Sequence, residues 1–142
     1  MTARRSGLVI AAIAAVGVAI AAYLTVTKLS GGLPVCGPSH GCEDVALSVY
    51  SSIFGIPTAA FGLLFSTVVA LLGLGWWRLG DRRAVIAAYG LGLFGILFVA
   101  YLTYLELFVI HAICVWCVGY GLTVVIGWVV ALAAVRASAR AA

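Results

Sequence analysis

The chain has 142 residues, of which 65% are hydrophobic and 8% charged, and its formal net charge is +4. Globular domains carry about 25% charged residues, so this composition, with a mean hydropathy of +1.26, excludes an ordinary soluble domain. It leaves one compact membrane-embedded unit over residues 1–142, with too little polar sequence for a second domain. The positive charge is no nucleic-acid footprint, because the basic residues sit singly or in small groups between apolar runs, where they set membrane orientation.

Arg4 and Arg5 precede the first apolar run, which extends from Gly7 to about Thr27 within a first span expected at about 7–28. At about 21 residues, or about 32 Å of helix, it is long enough to cross a hydrocarbon core. A cleaved signal peptide is the competing reading, but the run exceeds the usual apolar core of ~7–15 residues. Residues 29–57 form the one long polar stretch. Leu33 to Cys42 is rich in turn formers, Pro34, Gly37, Pro38 and Gly41 among them, and reads as a tight loop. From Glu43 the apolar residues Val45, Ala46, Val49, Tyr50, Ile53 and Phe54 recur at helical spacing, with Asp44, Ser48 and Ser51 on the other side. That pattern predicts a short amphipathic helix at the interface, capping the bundle and ended by Gly55 and Pro57. The second span is predicted at about 58–77, the third at about 84–109 and the fourth at about 112–135. Trp76 and Trp77 sit at the depth of an aromatic belt. The connection near Ile110 and His111 is very short, so the last two spans are antiparallel neighbours. The expected fold is all-α: an integral membrane bundle of four transmembrane helices with a cap helix in its first extracytoplasmic loop.

Four spans place Arg4, Arg5, Arg78, Arg82, Arg83, Arg136 and Arg140 on one side and leave only Lys28 on the other. By the positive-inside rule both termini are cytoplasmic. The loop holding Cys36 and Cys42 then shares the extracytoplasmic face with Cys114-Val115-Trp116-Cys117, the CxxC that opens the fourth span. Cys114 and Cys117 are about 300° apart on a helix, nearly on one face, in a first turn whose partial positive charge favours thiolate. Cys36 and Cys42 are about 240° out of phase on a helix, so only a bent chain joins them.

A loop dithiol that reaches water and a second dithiol at the membrane boundary can work as a relay, since thiol–disulfide exchange proceeds through mixed disulfides. The soluble side would be a dithiol protein and the bilayer side a lipid-soluble acceptor, with a quinone as the leading choice. Two other readings stay open: both pairs as static disulfide staples, or the cysteines with His40 and His111 as a zinc or copper site. His111, three residues before Cys114, either supports that thiolate or marks the turn. Glu106 is an ionisable group inside an apolar run and thus a functional hypothesis, unless it faces headgroup water. Tyr101, Tyr104 and Tyr120, together with Thr58 and Phe61, are candidate quinone contacts.

In their order these parts resemble the vitamin K epoxide reductase family in its bacterial form. The resemblance rests on Cys36 and Cys42, Ser48 six residues on, Phe54-Gly55-Ile56-Pro57 before the second span, and Cys114 to Cys117 heading the fourth. It implies a four-helix bundle around a quinone of the menaquinone, ubiquinone or vitamin K type, without a metal. It further implies that Cys117 reacts with the quinone, that Cys114 exchanges with Cys42, and that Cys36 takes electrons from a soluble partner. Ser48 would hold the serine position at the cap. Some bacterial members carry a fused thioredoxin-like domain; here the expectation is a separate thioredoxin-like or DsbA-like extracytoplasmic protein. Thr58 stands about where animal members have an asparagine, and Gly121, beside Tyr120, where they have a tyrosine. The unrelated four-helix disulfide oxidase of Gram-negative bacteria has its CxxC early and its spaced pair late, the reverse of this order.

Overall fold

A computed structural model describes residues 4–32, 34, 44, 47–49 and 52–141. Four helices are long and apolar enough to span a membrane. They are α1 (Arg5–Leu29), α2 (Thr58–Leu79), α3 (Arg82–Tyr104), which continues as a π-helical turn over Leu105–Ile110, and α4 (Val115–Ala141). The chain is a multi-pass membrane protein. α1 packs on α2 and α4, and α3 packs on α4 and α2.

The packing follows a membrane logic, with small residues inside and large apolar ones outside. On α1 the buried positions Gly7, Ala11, Ala14, Gly17 and Ala21 recur every three or four residues, while Leu8, Val16 and Val26 are exposed on the outer surface. Where α1 crosses α2 the backbones touch: a Cβ on Gly73 would lie 2.7 Å from the Gly7 carbonyl oxygen and 2.9 Å from the Ala11 nitrogen.

The two ends of the bundle differ. The end carrying the arginines is filled by Ile10, Trp76, Val85, Ala88, Ala131 and Ala134. Polar contacts brace it. The Arg4 guanidinium donates to the carbonyls of Trp77 and Arg78 at 2.8 and 2.7 Å, tying α1 to the last turn of α2. Those are carbonyls that a helix C-terminus leaves without intrahelical partners. Trp76 Nε1 donates to Ser6 Oγ at 3.3 Å, and Arg82 Nε to Ser138 Oγ at 3.2 Å. Gly80, at φ 65°, ends α2 in the left-handed conformation, and Asp81 caps α3 by accepting from the Arg83 N–H.

The expected cap helix falls largely outside the described residues, and its last part differs. β1 (Ser52–Ile53) pairs antiparallel with β2 (Ile56–Pro57), Ile53 facing Ile56. Phe54 and Gly55 both have positive φ, 53° and 79°, as a two-residue hairpin turn of type I′ requires. The apolar spacing of Ile53 and Phe54 suggests helix; Gly55, which takes a positive φ without strain, with Ile56 held extended by the following proline, gives a hairpin instead. The described residues also place Ser48 towards the bundle, with Leu47 and Val49 outward and exposed.

Gly73→Val should cost about 1–3 kcal/mol by overpacking a backbone contact that cannot yield. Gly90→Ala, whose Cβ would meet nothing within 4 Å, should be nearly neutral. Unfolding titrations of both variants in detergent check this.

Candidate redox site

Opposite the arginine-rich end the helices part around a cavity of ≈ 630 Å³, within the size range of small-molecule sites, about 300–1,000 Å³. Its wall is mostly apolar, with Phe61, Phe65, Phe94 and Phe98 among the larger groups, and its few polar groups include Ser48, Thr58, Glu106 and Tyr120. Both cysteines of the CxxC lie on that wall.

The way α3 ends explains their position. The π-helical turn closes at His111, whose φ of 60° is left-handed. The Glu106 carbonyl accepts from the Ala112 N–H at 3.0 Å, and residues 111–114 run as an irregular link to α4. Cys114 is therefore not inside the helix but immediately before it. Its carbonyl accepts from the Val118 N–H at 3.0 Å, and its Sγ accepts from the Cys117 N–H at 3.3 Å. A cysteine sulfur thus does what an N-cap oxygen ordinarily does, at the helix end that favours negative charge. Trp116, between the two thiols, packs its ring on Tyr23 of α1 with centroids 4.9 Å apart, which fixes the turn against the bundle.

Cys114 and Cys117 are both free thiols, the first buried and the second half-buried. The Cys117 thiol hydrogen-bonds to the Cys114 sulfur and holds the Cys114 thiol below its ordinary range; burial pulls the other way without reversing the shift. Glu106 completes the cluster. Its Oε2 accepts the Cys114 N–H at 3.3 Å, and the Cys117 thiol hydrogen-bonds to the same carboxyl group.

Of the other residues singled out from the sequence, Ser48, Thr58, Phe61 and Tyr120 line the cavity. The Tyr120 hydroxyl donates to the Gly62 carbonyl at 2.8 Å and accepts from Ser66 Oγ at 2.9 Å, so its ring is the part turned to the cavity's contents. Tyr101 and Tyr104 are exposed and do not line the cavity; they pack on Phe98 and Phe108. His111 is exposed and serves as the left-handed residue ending α3; among the described residues Glu106, not His111, contacts Cys114. Cys36, Cys42 and His40 lie outside the described residues, and among the described residues no three of His, Cys, Asp and Glu are grouped to hold a metal ion. Glu106 is what the sequence left undecided: with 6% of its surface exposed it is buried, and it does not face headgroup water.

The fold and site are those of a four-span membrane bundle that carries a CxxC dithiol on the wall of an apolar cavity. The chain belongs to the vitamin K epoxide reductase family, whose model matches residues 8–132.

Because the hydrogen bond from the Cys117 thiol holds the Cys114 thiol low, Cys117→Ala should raise the Cys114 titration. In a Cys36→Ala/Cys42→Ala background, thiolate absorbance should appear at lower pH than the ordinary thiol midpoint of about 8.5, since a lowered pKa keeps the thiolate present to lower pH. Adding Cys117→Ala should move that onset upward.

Proposed function

We propose that this protein oxidises a soluble thioredoxin-like protein outside the cytoplasm and passes the electrons to a membrane quinone, so driving disulfide formation. The observation that carries the reading is the CxxC dithiol on the wall of an apolar cavity of ≈ 630 Å³ inside a four-span bundle. Such a cavity suits a lipid-soluble ring compound, and membership of the vitamin K epoxide reductase family supports a quinone in that place.

In this reading Cys36 takes electrons from the partner, Cys42 passes them to Cys114, and the Cys114/Cys117 pair delivers them to the quinone at Cys117. Ser48, on the cavity wall, helps close the site from the loop side. Thr58, Phe61 and the Tyr120 ring form the walls that hold the quinone; Tyr101 and Tyr104, exposed on the outer surface, contribute less. The arginines flanking the spans support an orientation with both termini cytoplasmic and all four cysteines on the outer face.

Purified protein given a reduced thioredoxin-like donor and a soluble quinone should reduce the quinone, and Cys117→Ala should abolish that reduction. In cells, thiol trapping of Cys36→Ala or Cys42→Ala variants should capture mixed disulfides with a soluble partner. A Cys117→Ala protein as active as wild type would overturn the assignment.

A further inference from the structure

Quinone reduction by a dithiol moves protons as well as electrons. Two S–H bonds break, one S–S bond forms, two electrons pass to the quinone ring, and its two oxygens take the two protons. In a water-poor apolar cavity those protons need a carrier, and the groups touching the reacting sulfurs are few.

We infer that Glu106 carries one of these two protons: its carboxylate takes the proton of the Cys117 thiol and delivers it to one quinone oxygen, while the proton lost from Cys114 goes to the other oxygen without passing through Glu106. The inference rests on the function proposed above and names a catalytic group for it. Four observations converge on this residue. Among the described residues Glu106 is the one acidic side chain inside a span, and an ionisable group there is costly enough to require a use. It is buried, so bulk water does not do its work. The Cys117 thiol hydrogen-bonds to its carboxyl group. The same carboxyl group lies on the cavity wall, within the space proposed for the quinone.

The other titratable groups on the cavity wall or beside the CxxC do not fill the role. Tyr120 commits its hydroxyl to Gly62 and Ser66. Lys28 lines the cavity from the C-terminal end of α1, and an ammonium group donates but does not accept. His111 is exposed. The π-helical turn fits the assignment, since such turns recur at functional sites. Glu106 also accepts the Cys114 N–H through one oxygen, which anchors the carboxyl group and leaves the other oxygen for proton transfer.

A structural role and a proton-carrying role part at Glu106→Gln. The amide oxygen still accepts the Cys114 N–H, but the side chain no longer takes up and releases a proton. The experiment uses the full chain, purified, pre-reduced and mixed with 2-methyl-1,4-naphthoquinone, with single-turnover reduction followed by absorbance. Thiol titration and the unfolding midpoint establish that each variant is folded and reduced. Wild type should turn over, E106Q should be slowed by about 100-fold or more, as loss of a general acid–base group predicts, and formate or acetate should restore part of the rate to Glu106→Ala. A folded, reduced E106Q at the wild-type rate, beside an inactive Cys117→Ala, would overturn the inference and leave the proposed function standing. Wild type that reduces no quinone would instead overturn the function, and the inference with it. Wild type also gives a reading that needs no variant: time-resolved infrared spectra should show a transient carboxylic acid band during the turnover, and its absence would overturn the inference.

Discussion

One carboxyl group joins the third span to the fourth. Glu106 takes the Cys114 N–H on its side chain and the Ala112 N–H on its main-chain carbonyl, so a single residue at the end of α3 satisfies two donors of the link to α4. A carboxyl group buried in a span is expensive to maintain, and its hydrogen bonds to a backbone amide and a thiol offset that cost. This anchor ties Cys114 back to α3, while the Cys117 and Val118 N–H groups tie it forward to α4. The dithiol's place is set by polar chemistry inside an apolar bundle.

The rest of the bundle makes that placement possible by keeping its two ends different. At the arginine-rich end, glycine-lined backbones approach so closely that no Cβ fits at Gly7 or Gly73, and Ile10, Trp76 and Val85 fill the remaining space. The opposite end holds the cavity, walled by phenylalanines from α2 and α3. Tight packing at one end supplies rigidity, and the cavity at the other supplies room for a ligand; Tyr120 bridges α4 and α2 with two hydrogen bonds in the space between.

Much of this was legible in the sequence, and for stated reasons. Apolar runs of spanning length, punctuated by arginines, make four helices whatever their partners, because a backbone in lipid has to satisfy its own hydrogen bonds. The CxxC was legible as a dithiol at a helix start, but not as an N-cap, because that depends on where α3 stops. The stopping point comes from a π-helical turn and a left-handed His111, neither of which has a sequence signature. The hairpin at Ser52–Pro57 is hidden in the sequence for a related reason: Ile53 and Phe54 fit a helical stripe, while Phe54 takes a positive φ that few non-glycine residues adopt. Glu106 was visible as an anomaly. Spacing alone does not say which way a residue near the end of a span faces, so only the structure could turn it inward.

The two thiols of the CxxC are unequal before any partner arrives. Cys114 caps α4 through its sulfur, and a sulfur carrying negative charge caps best, because it accepts from an amide at the positive end of the helix. Oxidation to a Cys114–Cys117 disulfide removes that charge and weakens the cap. An N-cap is worth about 0.5–2 kcal/mol, and 1.4 kcal/mol corresponds to about 30 mV for a two-electron couple. The cap therefore stabilises the reduced pair and makes its disulfide more oxidising by some tens of millivolts. Within the proposed relay, that bias draws electrons inward from the loop dithiol and makes their onward passage to the quinone the harder step. The harder step is the one that also has to move a proton off Cys117, and Cys117 is the thiol that hydrogen-bonds to Glu106. In the proposed relay, the geometry thus puts a charge-stabilising helix end on Cys114, the sulfur proposed to receive electrons, and a carboxyl group beside Cys117, the sulfur proposed to lose a proton.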